Sequence, residues 1–256
     1  MTDTTPEADG RPTVAVFRPN DERMQEAVSL LDELGADALP DPMLAVEPTG
    51  ELPREDGEYT ILTSKTGADI VEGTGWRPGG TLCAIGEPTA DALTAAGYEV
   101  DVVPGEFTSA GMVARLEEEV GGARVEVARS DHGSDVLLDG LEAAGAYVHE
   151  TILYRLVRPG GAGISTERAA ESTLDGVLFT SSLTVEHFLD AARERDVEDE
   201  VRDGLDDCVV GVIGEPTRNT AQACGIDVDV VPGQAEFDAL ARAVLEQLSA
   251  REQRNE

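Results

Sequence analysis

Ile85-Gly86-Glu87-Pro88-Thr89 returns 128 residues later as Ile213-Gly214-Glu215-Pro216-Thr217, and Val100-Asp101-Val102-Val103-Pro104-Gly105 returns at the same spacing as Val228-Asp229-Val230-Val231-Pro232-Gly233. Over the 23 ungapped positions 83–105 and 211–233, 13 are identical. Local composition does not produce that, so the chain repeats a structural unit. Weaker echoes extend it: Leu62-Thr63-Ser64 matches Phe179-Thr180-Ser181, and Val14-Ala15-Val16-Phe17-Arg18 matches Val125-Glu126-Val127-Ala128-Arg129. The apolar runs 14–17, 59–62, 82–85 and 100–103 are short and bounded by Gly, Pro or charged residues, which predicts strands of a covered parallel sheet. Met24, Ala27, Val28, Leu31 and Leu34 fall on one helical face, as do Phe237, Leu240, Ala241, Val244, Leu245 and Leu248. Strand alternating with helix predicts an α/β fold with helices on both sides of the sheet.

Two Pro/Gly-rich acidic stretches, 47–58 and 158–166, each follow a strand-like run and read as crossings between domains. They suggest one domain over 48–157 and another in which the N-terminal segment joins the C-terminal half; residues alone also allow a tandem split near Gly121-Gly122. The chain of 256 residues has 19 basic against 52 acidic side chains, a formal charge of −33. That excludes a general nucleic-acid binder, which needs a basic face to replace counterions, and argues against attraction to anionic membranes. Of the basic residues 18 are Arg and only Lys65 is Lys. Such a carboxylate-rich surface resembles proteins of high-salt cytoplasms, where salt screens self-repulsion. The polar start, residues 1–12, has no apolar signal core, and a cytoplasmic protein is expected. Cys83, Cys208 and Cys224 are widely spaced in apolar runs and read as core residues, not a disulfide framework.

In open α/β sheets ligands sit beyond the carboxyl ends of strands, where helix N-termini expose free N–H groups. Thr63-Ser64-Lys65 and Thr180-Ser181-Ser182 stand at such ends, and Gly86 to Thr89 and Gly214 to Thr217 join strand to helix with Pro suited to the first turn. Arg18 and Arg129 end matching strands. Two such sets would face each other across a cleft, although Ser and Thr at these places also serve as plain helix caps. His132, His149 and His187 show no metal-ligand spacing, so no metal is expected. Gly160-Gly161-Ala162-Gly163 reads as linker; GxGxxG, the P-loop and the GxSxG elbow do not occur.

The ordered strings Arg18-Pro19, Leu62-Thr63-Ser64, Ala84-Ile85-Gly86 with Thr89-Ala90 and Leu93, Phe107-Thr108-Ser109 before Gly111, Tyr154, Phe179-Thr180-Ser181-Ser182 and Val212-Ile213-Gly214 with Thr217 resemble the uroporphyrinogen-III synthase family. The resemblance implies two flavodoxin-like parallel-sheet domains joined by a two-stranded connector: residues 1–47 plus 166–256, residues 48–157, and the connector 158–165. It implies a cofactor-free lyase that closes hydroxymethylbilane, a linear tetrapyrrole with eight carboxylates, to uroporphyrinogen III with ring D inverted and water lost, in the biosynthesis of heme, siroheme and cobalamin. A monomer receiving its substrate from hydroxymethylbilane synthase is expected. Tyr154, whose phenol donates a hydrogen bond, is the residue expected to help the hydroxyl leave. Ser64, Thr89, Ser109, Ser181, Ser182 and Thr217 match substrate-binding positions, with Arg18, Lys65 and Arg129 adding positive charge. Two other readings suit the same repeated sheet: a cleft protein that binds a small anion without turnover, and a transferase with a nucleotide in its cleft.

Overall fold

The computed structural model describes residues 10–255; residues 1–9, which carry the polar start and the beginning of the first expected domain, and Glu256 lie outside. The first part of the chain runs β1 (Thr13–Val16), α1 (Glu22–Glu33), β2 (Asp37–Pro40), β3 (Ala45–Pro48), β4 (Tyr59–Leu62), α2 (Lys65–Val71), β5 (Thr81–Ala84), α3 (Glu87–Ala95), α4 (Ser109–Leu116) and β6 (Arg124–Ser130). It continues through α5 (Asp135–Ala143), β7 (Tyr147–Val157), α6 (Ile164–Ala170), β8 (Gly176–Phe179), α7 (Ser182–Glu194), α8 (Glu198–Asp207), β9 (Val209–Val212), α9 (Glu215–Ala223) and α10 (Phe237–Asn255). No helix among the described residues is long and apolar enough to cross a membrane.

These elements form two compact units, Met1–Ala45 with Val157–Glu256, and Val46–Leu156. The discontinuous unit holds the sheet β2-β1-β8-β9, with parallel pairing throughout. The continuous unit holds β3-β7-β6-β4-β5, parallel from β7 to β5. The unit boundaries fall within β3 and β7, which are neighbours in that sheet. Residues 164 and 165, expected in a connector, instead open α6, whose N-terminal N–H groups at Gly163 and Ser165 donate to the buried carboxylate of Asp41.

The strands are apolar runs because both faces are covered. β8 and β9 are buried along their whole length. Phe17, Phe179 and Phe188 pack on one face of the first sheet with ring centroids 4.8 to 5.5 Å apart, and Met24, Leu31, Leu240 and Val244 cover the other. In the second unit Met112, Leu116, Leu137 and Leu141 cover one face, and Val71, Trp76 and Leu93 the other.

The strand expected at 100–103 is reduced to a single bridge between Val102 and Cys83, and the repeat to one between Val230 and Gly211. The reason is an aspartate. Asp101 Oδ2 accepts the Leu82 N–H at 2.8 Å, where a further ladder bond would lie, and Asp229 does the same to Val210 at 2.8 Å; Pro104 and Pro232 follow and cannot donate. At the other strand ends, Asp175 accepts from Thr13 N at 2.7 Å and Glu58 from Arg124 N at 3.0 Å. One hydrogen-bonding scheme thus appears in both units.

Candidate functional site

At the carboxyl ends of the strands the hydroxyl residues divide into two kinds. Ser64 caps α2, its Oγ accepting from Gly67 N at 3.0 Å, and Thr108 caps α4 through Gly111 N at 3.0 Å. Ser181 forms a capping box on α7 with Thr184, each side chain accepting from the other's backbone N–H at 3.3 Å. Ser109 is the half-buried first residue of α4. Ser182, the first residue of α7, donates to Pro216 O at 3.3 Å and accepts from Thr220 at 2.8 Å, which ties the starts of α7 and α9 together.

Thr89 and Thr217 are not caps. The N-caps of α3 and α9 are Gly86 and Gly214, neither with a side-chain bond, and each threonine stands in the first helical turn. Each is only 3% exposed, and among the described residues neither hydroxyl has a hydrogen-bond partner. Each corner therefore presents an uncommitted hydroxyl on an otherwise buried residue, beside a helix start that favours anions.

Tyr154 lies on β7 and is 6% exposed; its Oη donates to Ser64 Oγ at 2.9 Å. The placement depends on an irregularity in the ladder. Arg129 is opposite Ile152, but Ser130 is opposite Tyr154, so one residue of β7 is skipped. An extra residue breaks the alternation of faces, and the consecutive Leu153 and Tyr154 both join the cluster of Leu62, Ala68 and Leu93. Sequence reasoning gave Tyr154 and Ser64 separate roles; the skipped residue that joins them leaves no periodic signal.

The expected cations differ in availability. Arg18 stacks over Phe237 at 4.5 Å and donates to Arg23 O at 3.3 Å; burial, then the neighbouring Arg23, lowers its pKa. Lys65 is exposed at the start of α2, without a partner among the described residues. Arg129 is 6% exposed, with Nε on Glu150, one terminal nitrogen on Ser134 O at 2.7 Å and the other on Asp135 at 3.3 Å. The guanidinium of Arg129 thus holds the β6–α5 turn, and the positive charge expected of it there is less available than that of Lys65.

One residue carried no expected role. Phe107 is 54% exposed, and it rests on Gly86 so closely that a Cβ there would meet its Cβ at 3.1 Å and its ring at 3.2 Å. The two buried thiols, Cys83 and Cys208, are inert by contrast. Burial, helped by Asp101, pushes Cys83 up to about 12, and burial with Asp175 does the same to Cys208.

The model of the family described as uroporphyrinogen-III synthase HemD matches residues 25–242. A relative from Methanothermobacter thermautotrophicus, provisionally named a uroporphyrinogen-III synthase, is 32% identical over 231 residues, covering 83% of this chain and 90% of its own. One from Archaeoglobus fulgidus with the same provisional name is 27% identical over 230 residues, 89% of this chain and 95% of its own. In fold, the chain is similar to the crystal structure of a mutant uroporphyrinogen III synthase from Thermus thermophilus, with TM-score 0.64, 18% identity, and 94% and 99% of the two chains covered. It is likewise similar to the uroporphyrinogen-III synthetase of Helicobacter pylori, with TM-score 0.62, 15% identity, and 93% and 99% covered. With the family match spanning most of its length and the Methanothermobacter relative 32% identical, the chain belongs to the uroporphyrinogen-III synthase family.

Proposed function

We propose that the protein closes hydroxymethylbilane to uroporphyrinogen III, and that the Thr89 corner and the Thr217 corner are each carboxylate-binding positions. The observation that carries this reading is the recurrence, in both units, of a buried threonine whose hydroxyl has no partner among the described residues, in the first turn of a glycine-capped helix. A polycarboxylate supplies the acceptors those hydroxyls lack. Ser109 and Ser181 and the backbone N–H groups beside them would add neutral donors, with Ser182 bracing the start of α7 and Arg18 and Lys65 supplying charge.

Hydroxyl loss from ring A gives an electrophilic azafulvene. The substituted α-carbon of ring D attacks it, and the spiro intermediate fragments and recloses at the neighbouring position. No electrons leave or enter, so the reading requires no redox cofactor. Without an enzyme the chain closes uninverted, so the protein's task is to hold reacting atoms in one geometry. Help to the departing hydroxyl is assigned to the Tyr154–Ser64 pair. The experiment is to add purified protein in molar KCl to freshly made hydroxymethylbilane and resolve the isomers. The type III isomer is expected; type I alone, at the rate of the uncatalysed closure, would overturn the reading.

The acidic composition supports work at high salt; the protein is proposed as a cytoplasmic monomer that receives its substrate from hydroxymethylbilane synthase and supplies heme, siroheme or cobalamin. A substrate with eight carboxylates approaching a chain of charge −33 is repelled until salt shortens the Debye length to about 3 Å at 1 M. Melting temperature and turnover should both rise from about 10 mM to molar KCl; full activity and an unchanged melting temperature at low salt would remove the high-salt assignment.

A further inference from the structure

We propose that Ser64, rather than Tyr154, is the residue that touches the departing hydroxyl, and that Tyr154 is a positioning residue acting through it. This rests on the synthase reading and concerns which end of the Tyr154–Ser64 pair meets the substrate. A count of donors and acceptors carries it. A phenol has one O–H and is the more acidic of the two hydroxyls, which makes Tyr154 the donor across the 2.9 Å between its Oη and Ser64 Oγ. Ser64 Oγ also accepts the Gly67 N–H at 3.0 Å, so both of its lone pairs are engaged. Its own O–H has no acceptor among the described residues. The pair therefore has one uncommitted hydrogen-bonding group, a donor, and it belongs to Ser64.

Burial points the same way. Tyr154 is 6% exposed within an apolar cluster, whereas Ser64 is half-buried at the strand end, next to the exposed Lys65. Gly67 keeps the arrangement tight: a Cβ there would lie 3.3 Å from Ser64 Oγ and 3.3 Å from Leu153 Cδ1. Two donors on one oxygen polarise its remaining O–H, and a donor without accepting capacity is suited to a leaving oxygen.

In the step itself the C–O bond to the hydroxyl breaks with its electron pair passing to oxygen. The pyrrole nitrogen supplies the pair for the new exocyclic double bond of the azafulvene and releases its proton to solvent. The proton that completes the departing water comes from Ser64 Oγ, which is refilled from Tyr154 Oη; solvent then returns a proton to Tyr154. One water is lost in total.

The test compares variants at both positions in molar KCl, with turnover counted per folded molecule. Ser64→Gly removes the hydroxyl while keeping an acceptable helix cap, since glycine costs only a few tenths of a kcal/mol there. Its kcat should fall about 10²-fold, the usual loss for a donor aimed at developing negative charge, with KM little changed. Ser64→Thr keeps both hydroxyl and cap and should retain most of the turnover. Tyr154→Phe should lose less than Ser64→Gly, because the Ser64 O–H survives, and the double variant should match Ser64→Gly alone. A folded Ser64→Gly protein with near wild-type kcat, or a Tyr154→Phe loss larger than that of Ser64→Gly, would overturn the assignment. Should Ser64→Gly not fold, a Ser64→Thr protein that folds but loses turnover as fully as Tyr154→Phe would overturn it equally. Failure of the synthase reading is distinct: the wild-type protein would then yield no type III isomer.

Discussion

The serine caps Ser64 and Ser181 occupy equivalent places in the two units, yet only one has a tyrosine on it. Ser181 is held by Thr184 from its own helix, while Ser64 receives a bond from Tyr154 on β7. The strand lengths explain the difference. β2, beside β1 in the first unit, stops at Pro40 after four residues, whereas β7, beside β6 in the second, runs for 11 and skips a residue near its end. Both units share a hydrogen-bonding frame and a partnerless threonine, but only the longer strand carries a side chain to the capping serine. The frame recurs in both units, and the proton-donating pair belongs to one.

The comparison breaks most sharply in the core. Cys83 and Gly211 are aligned, and each is bridged to the segment beyond its sheet. A Cβ at Gly211 would meet Val244 Cγ2 at 2.4 Å and Leu240 Cδ1 at 2.9 Å, because α10 packs directly on that strand. Gly211→Cys should therefore cost about 3 kcal/mol through overpacking, whereas Cys83→Ala should cost about 1 kcal/mol, the loss of one small buried sulfur. Denaturant midpoints in molar KCl provide the check. Equal costs would mean that the two sheets are covered alike.

The threonines come next, with an effect on turnover rather than folding. Because glycines cap α3 and α9, Thr89→Ala and Thr217→Ala remove no cap bond and should leave stability within about 0.5 kcal/mol of wild type. If each holds a substrate carboxylate, each variant should lose about tenfold in kcat/KM. Stability losses with normal turnover would return both residues to a structural role. A smaller effect is expected at Ser181: Ser181→Ala should cost about 1 kcal/mol and Ser181→Gly only a few tenths, as for an ordinary cap.

The α/β class and most strands could be read in the sequence because each is a contiguous apolar run, and β4 occupies 59–62 as the pattern indicates. The run 100–103 misled because apolarity reports burial, while pairing there is interrupted by the Asp101 side chain, whose acceptor role hydropathy does not register. Ser64, Thr89, Ser109, Ser181, Ser182 and Thr217 could be placed at strand-to-helix corners because turn chemistry is local. Which of them cap and which lack a partner depends on the residue before each helix: serine before α2 and α7, glycine before α3 and α9. That distinction was in the sequence, since Gly86 and Gly214 precede the helix starts. The fate of Arg129 was not, because Glu150 comes from the next strand and Ser134 from a turn.

The thiols give the finest comparison, since each unit holds one buried cysteine whose exposure reports its opening. Cys83 lies in the sheet of the continuous unit and Cys208 just before β9 in the other, both buried and both with a pKa near 12. At pH 8 neither should react with a thiol reagent in the native protein, whereas the half-buried Cys224 should react first. Slow labelling of the other two then measures the local opening of each unit. Raising the pH adds a signed test. A thiol whose folded pKa is raised stabilises the fold fully below its unfolded value near 9, and that contribution is lost as pH climbs from there toward 12. Both labelling rates should therefore accelerate above pH 9 beyond the increase from reagent chemistry alone. Gly211→Cys should speed labelling at Cys208 while leaving Cys83 unchanged if the units open independently. Equal acceleration at both cysteines would show that the units open together, and that the asymmetry in their cores has no counterpart in their stability.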